Sequence, residues 1–214
     1  MRQFEIPQEV VQGVLDGTSP LSSYSPYMEK IHNKHVIGIN VVYLIGDWID
    51  MVFFGDSGFF HSHKERLAQF PGLKVSCHAQ VEKFPWVKYC PRNLSSGQGI
   101  SPDSNKVCWN GNSGSASISI AANAGAKRIF LLGFDMSLDS SRKQHFHPLY
   151  RQGGVSILDT PKNRTRPPVL PFERHMRGFA KISEDAKRRG IEIINVCPES
   201  SIKEFPKCNL KDII

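Results

Sequence analysis

A pair of histidines, an acid at the end of an apolar strand and three polar turns are the residues whose types and spacing could do chemistry in this sequence. His145 and His147 alternate about Phe146, so an extended segment would place both imidazoles on one side. That arrangement suits a metal or a histidine base with a helper, and two ordinary surface histidines are the bland alternative. Two histidines fall short of the three protein ligands that a catalytic zinc usually takes, so a general base is preferred and no metal site is expected. Asp135 follows the most apolar strand-like run, Lys127 to Gly133, within Gly133-Phe134-Asp135-Met136. An acid there can bind a ribose hydroxyl, orient a base, hold a metal or cap the next turn.

Asn112, Ser113 and Gly114 open a helix of small residues. Their side chains can cap it while the first turn's N–H groups face an anion, with Gly114 and Ser115 leaving room for a ligand to approach. The alternative is a capped core helix packed closely on a sheet. Asn40 ends HVIGIN, and Gly55-Asp56-Ser57-Gly58 ends the next apolar run. An asparagine in such a place reads a base or a phosphate through its amide. Asp56 with Ser57 can bind a ligand or cap the helix that follows. The isolated turn Asp16 to Pro20 has the look of a phosphate loop.

These residues need elements to hold them. Val10 to Leu15, His35 to Asn40, Met51 to Phe54, Leu73 to Cys77, Lys127 to Gly133 and Ile191 to Val196 read as strands. Gly58 to Phe70 and Phe172 to Arg189 read as helices, stopped by Pro71-Gly72 and by Gly190. Strands alternating with helices predict crossover units and an α/β fold with an open, mostly parallel sheet, in which Asn40, Asp56 and Asp135 share the carboxyl edge. Residues 78–111 and 137–172 lack periodicity and read as lids or binding loops. The second carries Arg142, Lys143, Arg151, Lys162, Arg164 and Arg166 against Asp139 and Asp159, as a lid over an anion would.

The chain has 214 residues, 40% hydrophobic and 22% charged, which fits one globular domain over 1–214 with a possible lid insertion at 137–172. Its formal charge of +7 favours an anionic partner such as a nucleotide, a nucleotide sugar, an acidic glycan or nucleic acid. No RNA-binding signature is present, so nucleic acid is not favoured. The 5 cysteines are odd in number and lack a C-x-x-C pair, and they read as reduced thiols. No apolar run approaches a bilayer span and the first residues do not form a signal peptide, so a cytoplasmic location without a membrane is expected.

The opening turn, HVIGIN, VFFGDS, the Asn112-Ser113-Gly114 helix with its Gly133-Phe134-Asp135 strand end, and the closing IINVCPESSI occur in the order seen in a known group. The chain resembles the glycosyltransferase-like superfamily that includes the bacterial sialyltransferases of glycosyltransferase family 42, the motility-associated factors and the pterin diphosphokinase-like proteins. It is most similar to small phage and prophage members of that group, which would put it in the host cytoplasm. The resemblance implies a Rossmann-like, sialyltransferase-like (GT-A-type) domain with helices on both faces and a long lid loop. By it, Gly17, Thr18, Ser19, Asn40, Asp56, Ser57 and Asn112 to Gly114 contact nucleotide and phosphate. Phe134, Asp135 and Met136 flank the base or ribose, and His147 or His145 is the base. Ser19 stands where the family has its second glycine.

Three functions are therefore expected to compete. The first is a nucleotide-sugar-dependent glycosyltransferase acting on a hydroxyl acceptor with a histidine base and needing no added cofactor. The second is a Mg²⁺-dependent diphosphate transfer from ATP, with Asp135 or Asp56 as metal ligands. The third is a non-catalytic phage protein that binds a nucleotide, a nucleic acid or a host protein, which the altered opening loop favours. A homo-oligomer is compatible with each.

Overall fold

A computed structural model describes residues 20–137 and 172–214. The expected strand Val10 to Leu15, the opening loop and most of the expected lid lie outside the described residues.

Four strands, β1 (Ile37–Ile39), β2 (Met51–Phe54), β3 (Leu73–Ser76) and β4 (Lys88–Tyr89), form a parallel sheet in that order. The register pairs Ile39 with Phe53, Phe54 with Ser76, and Ser76 with Tyr89. A second parallel pair joins β5 (Arg128–Leu131) to β6 (Glu192–Asn195), with Leu131 opposite Asn195. The α/β class with parallel strands thus holds.

Alternation along β2 explains how the first sheet is covered. Val52 and Phe54 point to one face, where Phe59, Phe60 and Leu67 of α1 (Ser57–Gln69) complete a core with Tyr43, Leu44 and Phe70. Phe53 and Val75 point to the other, against Val107 and Ala116 of α2 (Ser113–Asn123). Helices therefore cover both faces of this sheet. Ile118 and Ala122 of α2 pack instead on Leu131 and Ile193, so one small-residue helix spans the two sets of strands. Its C-terminal turn ends at Gly125, whose φ of 97° suits glycine.

Several expectations need correction. The one sheet expected to bring Asn40, Asp56 and Asp135 to a single edge is two sets of strands, with Asp135 past β5 in the second set. The helix expected over Phe172 to Arg189 is two helices, α3 (Phe172–Met176) and α4 (Phe179–Arg188). They part before Gly178, where the chain passes so close to Asn110 that a Cβ at Gly178 would lie 2.5 Å from the Asn110 Cβ. A 3-10 helix over Pro20–Ile31 begins at the end of the expected turn, and its Tyr24 hydroxyl donates to the Val196 carbonyl at 3.0 Å.

Residues 78–111, finally, are not a lid. They contain a 3-10 turn (Ala79–Lys83), β4, and the buried Val81, Val87, Ile100, Val107 and Cys108. Their irregular backbone is fixed by polar side chains rather than by a ladder. Asn110 Nδ2 donates to the Gly99 and Cys108 carbonyls, and its Oδ1 accepts from Gly99 N–H at 2.6 Å. Asp185 Oδ2 accepts from Ile100 N–H at 2.9 Å, Ser119 Oγ from Ser101 N–H at 2.9 Å, and Arg189 donates to the Ile100 and Ser101 carbonyls. Burial pushes the Asp185 carboxyl up, but the Ile100 N–H, Arg188 and Lys181 outweigh it, and its pKa lies below the ordinary value.

Candidate functional site

Parallel pairing puts the carboxyl ends of β1 to β4 on one edge, and ligands of open α/β sheets bind outside that edge. Asn40 is the first residue past β1 and begins the 3-10 turn Asn40–Ile45. Its backbone is left-handed, with φ of 53°, a conformation that asparagine tolerates better than most residues. Its Oδ1 is buried and has no hydrogen-bond partner, the one such side-chain atom among the described residues. A buried amide oxygen without a donor carries a cost of about 1–3 kcal/mol, which a ligand's N–H or O–H would relieve.

Asp56 and Ser57 lie past β2 at the same edge. Asp56 is exposed, and its Oδ1 accepts from Phe59 N–H at 3.0 Å, so it caps α1. Ser57 is the first residue of that helix. Asn112 caps α2 in the same way, with Oδ1 accepting from Ser115 N–H at 2.8 Å, while its Nδ2 donates to the His175 carbonyl at 3.0 Å. Both ends of the Asn112 amide are thus engaged within the fold. Ser113 is buried. The room expected beside Gly114 is filled, because a Cβ there would sit 3.1 Å from the Phe134 ring. Gly114 therefore serves helix packing, and the Phe134 side chain, buried and set edge-on to Phe179, belongs to the core.

The turn that carries Asp135 is held from behind by the segment after β6. Ser200 Oγ donates to the Phe134 carbonyl at 2.5 Å, Asn195 Nδ2 donates to the same oxygen at 3.2 Å, and Ser201 N–H donates to the Asp135 carbonyl at 2.8 Å. These bonds fix Gly133, with φ of 73°, and Met136, with φ of 51°. Met136 packs at the margin of the core under this turn. Asp135 is half-buried, and its charge adds to the burial that pushes the Cys197 thiol and the Tyr24 hydroxyl up. Gly17, Thr18, Ser19, His145 and His147 lie outside the described residues.

Arg92, past β4, was not foreseen. Val107 N–H donates to the Pro91 carbonyl and Asn93 N–H to the Val107 carbonyl, both at 2.9 Å, which pins the backbone on either side of it. The Arg92 guanidinium lies 4.1 Å from the centre of the Trp109 ring, donates from Nη2 to the Gly55 carbonyl at 3.2 Å, and sets Nε 3.4 Å from Cys77 Sγ. Gly55 is required here, since a Cβ would lie 2.1 Å from the Trp109 ring. The sequence does hold one signal: between Glu82 and Asp103 stand Lys83, Lys88 and Arg92 but no acid. His78, past β3, adds an imidazole whose Nδ1 accepts from Gln80 N–H at 3.4 Å.

Among the described residues, no group of three or more His, Cys, Asp or Glu side chains could hold a metal, and no helix is long and apolar enough to cross a membrane. No family model matches the chain, and no curated protein or solved structure is significantly similar to it.

Proposed function

We propose that this protein binds a nucleotide-linked sugar across the carboxyl edge of its parallel sheet and transfers the sugar to a hydroxyl acceptor. The observation that carries the reading is Asn40. An amide oxygen buried without a donor, on left-handed backbone at the carboxyl end of β1, fits a ligand that brings its own N–H or O–H. A nucleotide offers such donors on its base and ribose, together with the negative charge that a chain of net charge +7 favours.

In the transfer, the acceptor oxygen attacks the anomeric carbon and gives its proton to His147 or His145. The bond from that carbon to the phosphate oxygen breaks, and its electron pair leaves with the nucleotide. A positioned histidine base contributes typically 10²–10⁴ in rate. Asp135, on a turn braced by Ser200 and Ser201, is the acid on hand for a ribose hydroxyl.

Binding is tested by thermal melts and calorimetry with cytidine and uridine nucleotides and their sugars, with and without Mg²⁺. Binding without Mg²⁺ is expected, and Asn40→Gly, which keeps the left-handed backbone but deletes the acceptor, should weaken it roughly tenfold. Silence across the panel overturns the reading. Binding only with ATP and Mg²⁺ replaces it with diphosphate transfer. Binding that persists without turnover when His145 and His147 are present leaves a nucleotide-binding protein that is not an enzyme.

A further inference from the structure

We propose that Arg92 is an anion-binding residue that receives the phosphate or diphosphate of the ligand. The proposal rests on the nucleotide reading for the identity of the ligand, but not for the existence of the site.

Arg92 is half-buried and, among the described residues, has no carboxylate partner. The other arginines among the described residues are exposed to solvent, and Arg128, Arg177 and Arg188 each pair with an acid as well. A guanidinium carries five N–H donors, and the contacts of Arg92 use one on Nε, directed at a weakly accepting sulfur, and one on Nη2. The others meet no acceptor among the described residues. Taking a cation partly out of water without a counter-charge is unfavourable, and the fold does so at the edge where an open α/β sheet receives its ligand.

The position is also rigid. Trp109 supports one face of the guanidinium, the Gly55 carbonyl fixes its rotation, and the pairing around Val107 fixes its backbone. From β4 the side chain thus reaches back to the end of β2, across the intervening β3. Gly55 follows Phe54 and Asn40 follows Ile39, at the carboxyl ends of adjacent strands whose pairing runs as far as Ile39 and Phe53. Neighbouring strands are about 4.8 Å apart, so the Gly55 turn that holds the cation and the Asn40 turn are neighbours on one edge. A fixed guanidinium fork matches phosphate oxygens, which an ammonium on a flexible stem matches less well.

The test is calorimetric titration of the full chain with inorganic pyrophosphate, alongside the nucleotide panel and the matching phosphate-free nucleosides. Wild type is expected to bind pyrophosphate. Arg92→Gln should weaken that binding roughly 10- to 100-fold and leave nucleoside binding unchanged, and Arg92→Lys should fall between. Near-UV circular dichroism establishes that each variant is folded; if Arg92→Gln is not, Arg92→Lys and Trp109→Phe carry the test, each with an expected loss of several-fold. Wild type silent toward pyrophosphate, or folded variants that bind it as wild type does, overturns the proposal. Nucleotides bound equally by wild type and Arg92→Gln would remove Arg92 and keep the nucleotide site. Pyrophosphate bound through Arg92 with a silent nucleotide panel would do the reverse.

Discussion

Lowering the pH from 7.5 to 4.5 should destabilise the protein through one imidazole. His63 lies on the inner side of α1, stacked on Phe59 at 4.4 Å and sharing a 3.0 Å hydrogen bond between its Nδ1 and the hydroxyl of the fully buried Tyr43. Burial, with added repulsion from Arg66, lowers its pKa from 6.5 to about 4. A lowered folded-state pKa means that the unfolded chain takes up the proton first. The contribution is therefore complete above pH 6.5, is lost as pH falls toward 4, and is absent below. At about 1.4 kcal/mol for each tenfold change in proton affinity, the full shift is worth at most about 3.4 kcal/mol, of which about 2.5 is reached by pH 4.5, and solvent screening of a partly open ring reduces this to roughly 1.5 kcal/mol. Carboxylates also titrate in this range, so the measurement is a difference. Urea melts at pH 7.5 and 4.5 are compared between wild type and His63→Asn, which keeps a polar group near the Nδ1 position but does not titrate. The variant should be less stable at pH 7.5 yet lose about 1.5 kcal/mol less on acidification. Equal losses would refute the reasoning.

Ser200→Ala removes the hydroxyl that holds the Phe134 carbonyl and accepts from Ile202 N–H at 3.0 Å; a loss of about 1–2 kcal/mol in urea melts is expected. Gly55→Ala places a methyl against Trp109 and Cys77, so it should cost about 1–3 kcal/mol and shift tryptophan fluorescence as the indole moves. Asp185→Ala leaves Ile100 N–H buried without its acceptor, and a cost of about 2–3 kcal/mol in urea melts is expected. Because the Asp185 carboxyl is lowered from 3.8 on folding, its contribution should be present above that pH and fade as the pH falls below it.

How much of this was legible in the sequence depended on what held each segment. Met51–Phe54 is an apolar run between turn residues, and it is a strand with the bounds expected of it. The other expected strands among the described residues are shorter than their apolar runs, Ile37–Ile39 against His35 to Asn40 for example, because pairing ends before hydrophobicity does. The two-residue β4 has no pattern to read, and its pairing with Val75 and Ser76 is a tertiary fact. Of the two readings of 78–111, lid or binding loop, the lid fails for a related reason. Asn93, Ser101, Asn110, Ser119 and Asp185 look like surface residues in a sequence, but here they are buried and bond irregular backbone. At the edge of the first sheet, Asn40 and Asp56 could be foreseen from parallel topology alone, while Asp135 follows β5 in the second pair of strands. Arg92 could not be foreseen, since its aim depends on Val107 pinning its backbone and Trp109 lying under it.

Backbone strain separates Asn40 from the other polar turns. Among the described residues, three that are not glycine are left-handed: Asn40, Asn110 and Met136. Asn110 offsets its strain with an amide that bonds Gly99 and Cys108, and Met136 is imposed by the bonds that brace Phe134 and Asp135. Asn40 combines left-handed backbone with a buried oxygen that bonds nothing. A residue that costs stability on two counts, with no return to the fold, is the pattern expected where a site is built for a ligand. Glycine at this position relieves both costs, against a greater loss of chain entropy on folding. Asn40→Gly is therefore expected to stabilise the free protein by about 1 kcal/mol, a rise of roughly 2–4 °C in Tm, while its nucleotide affinity falls. A variant with lowered Tm and unchanged affinity would make Asn40 a structural residue of the turn and remove the observation on which the nucleotide site rests.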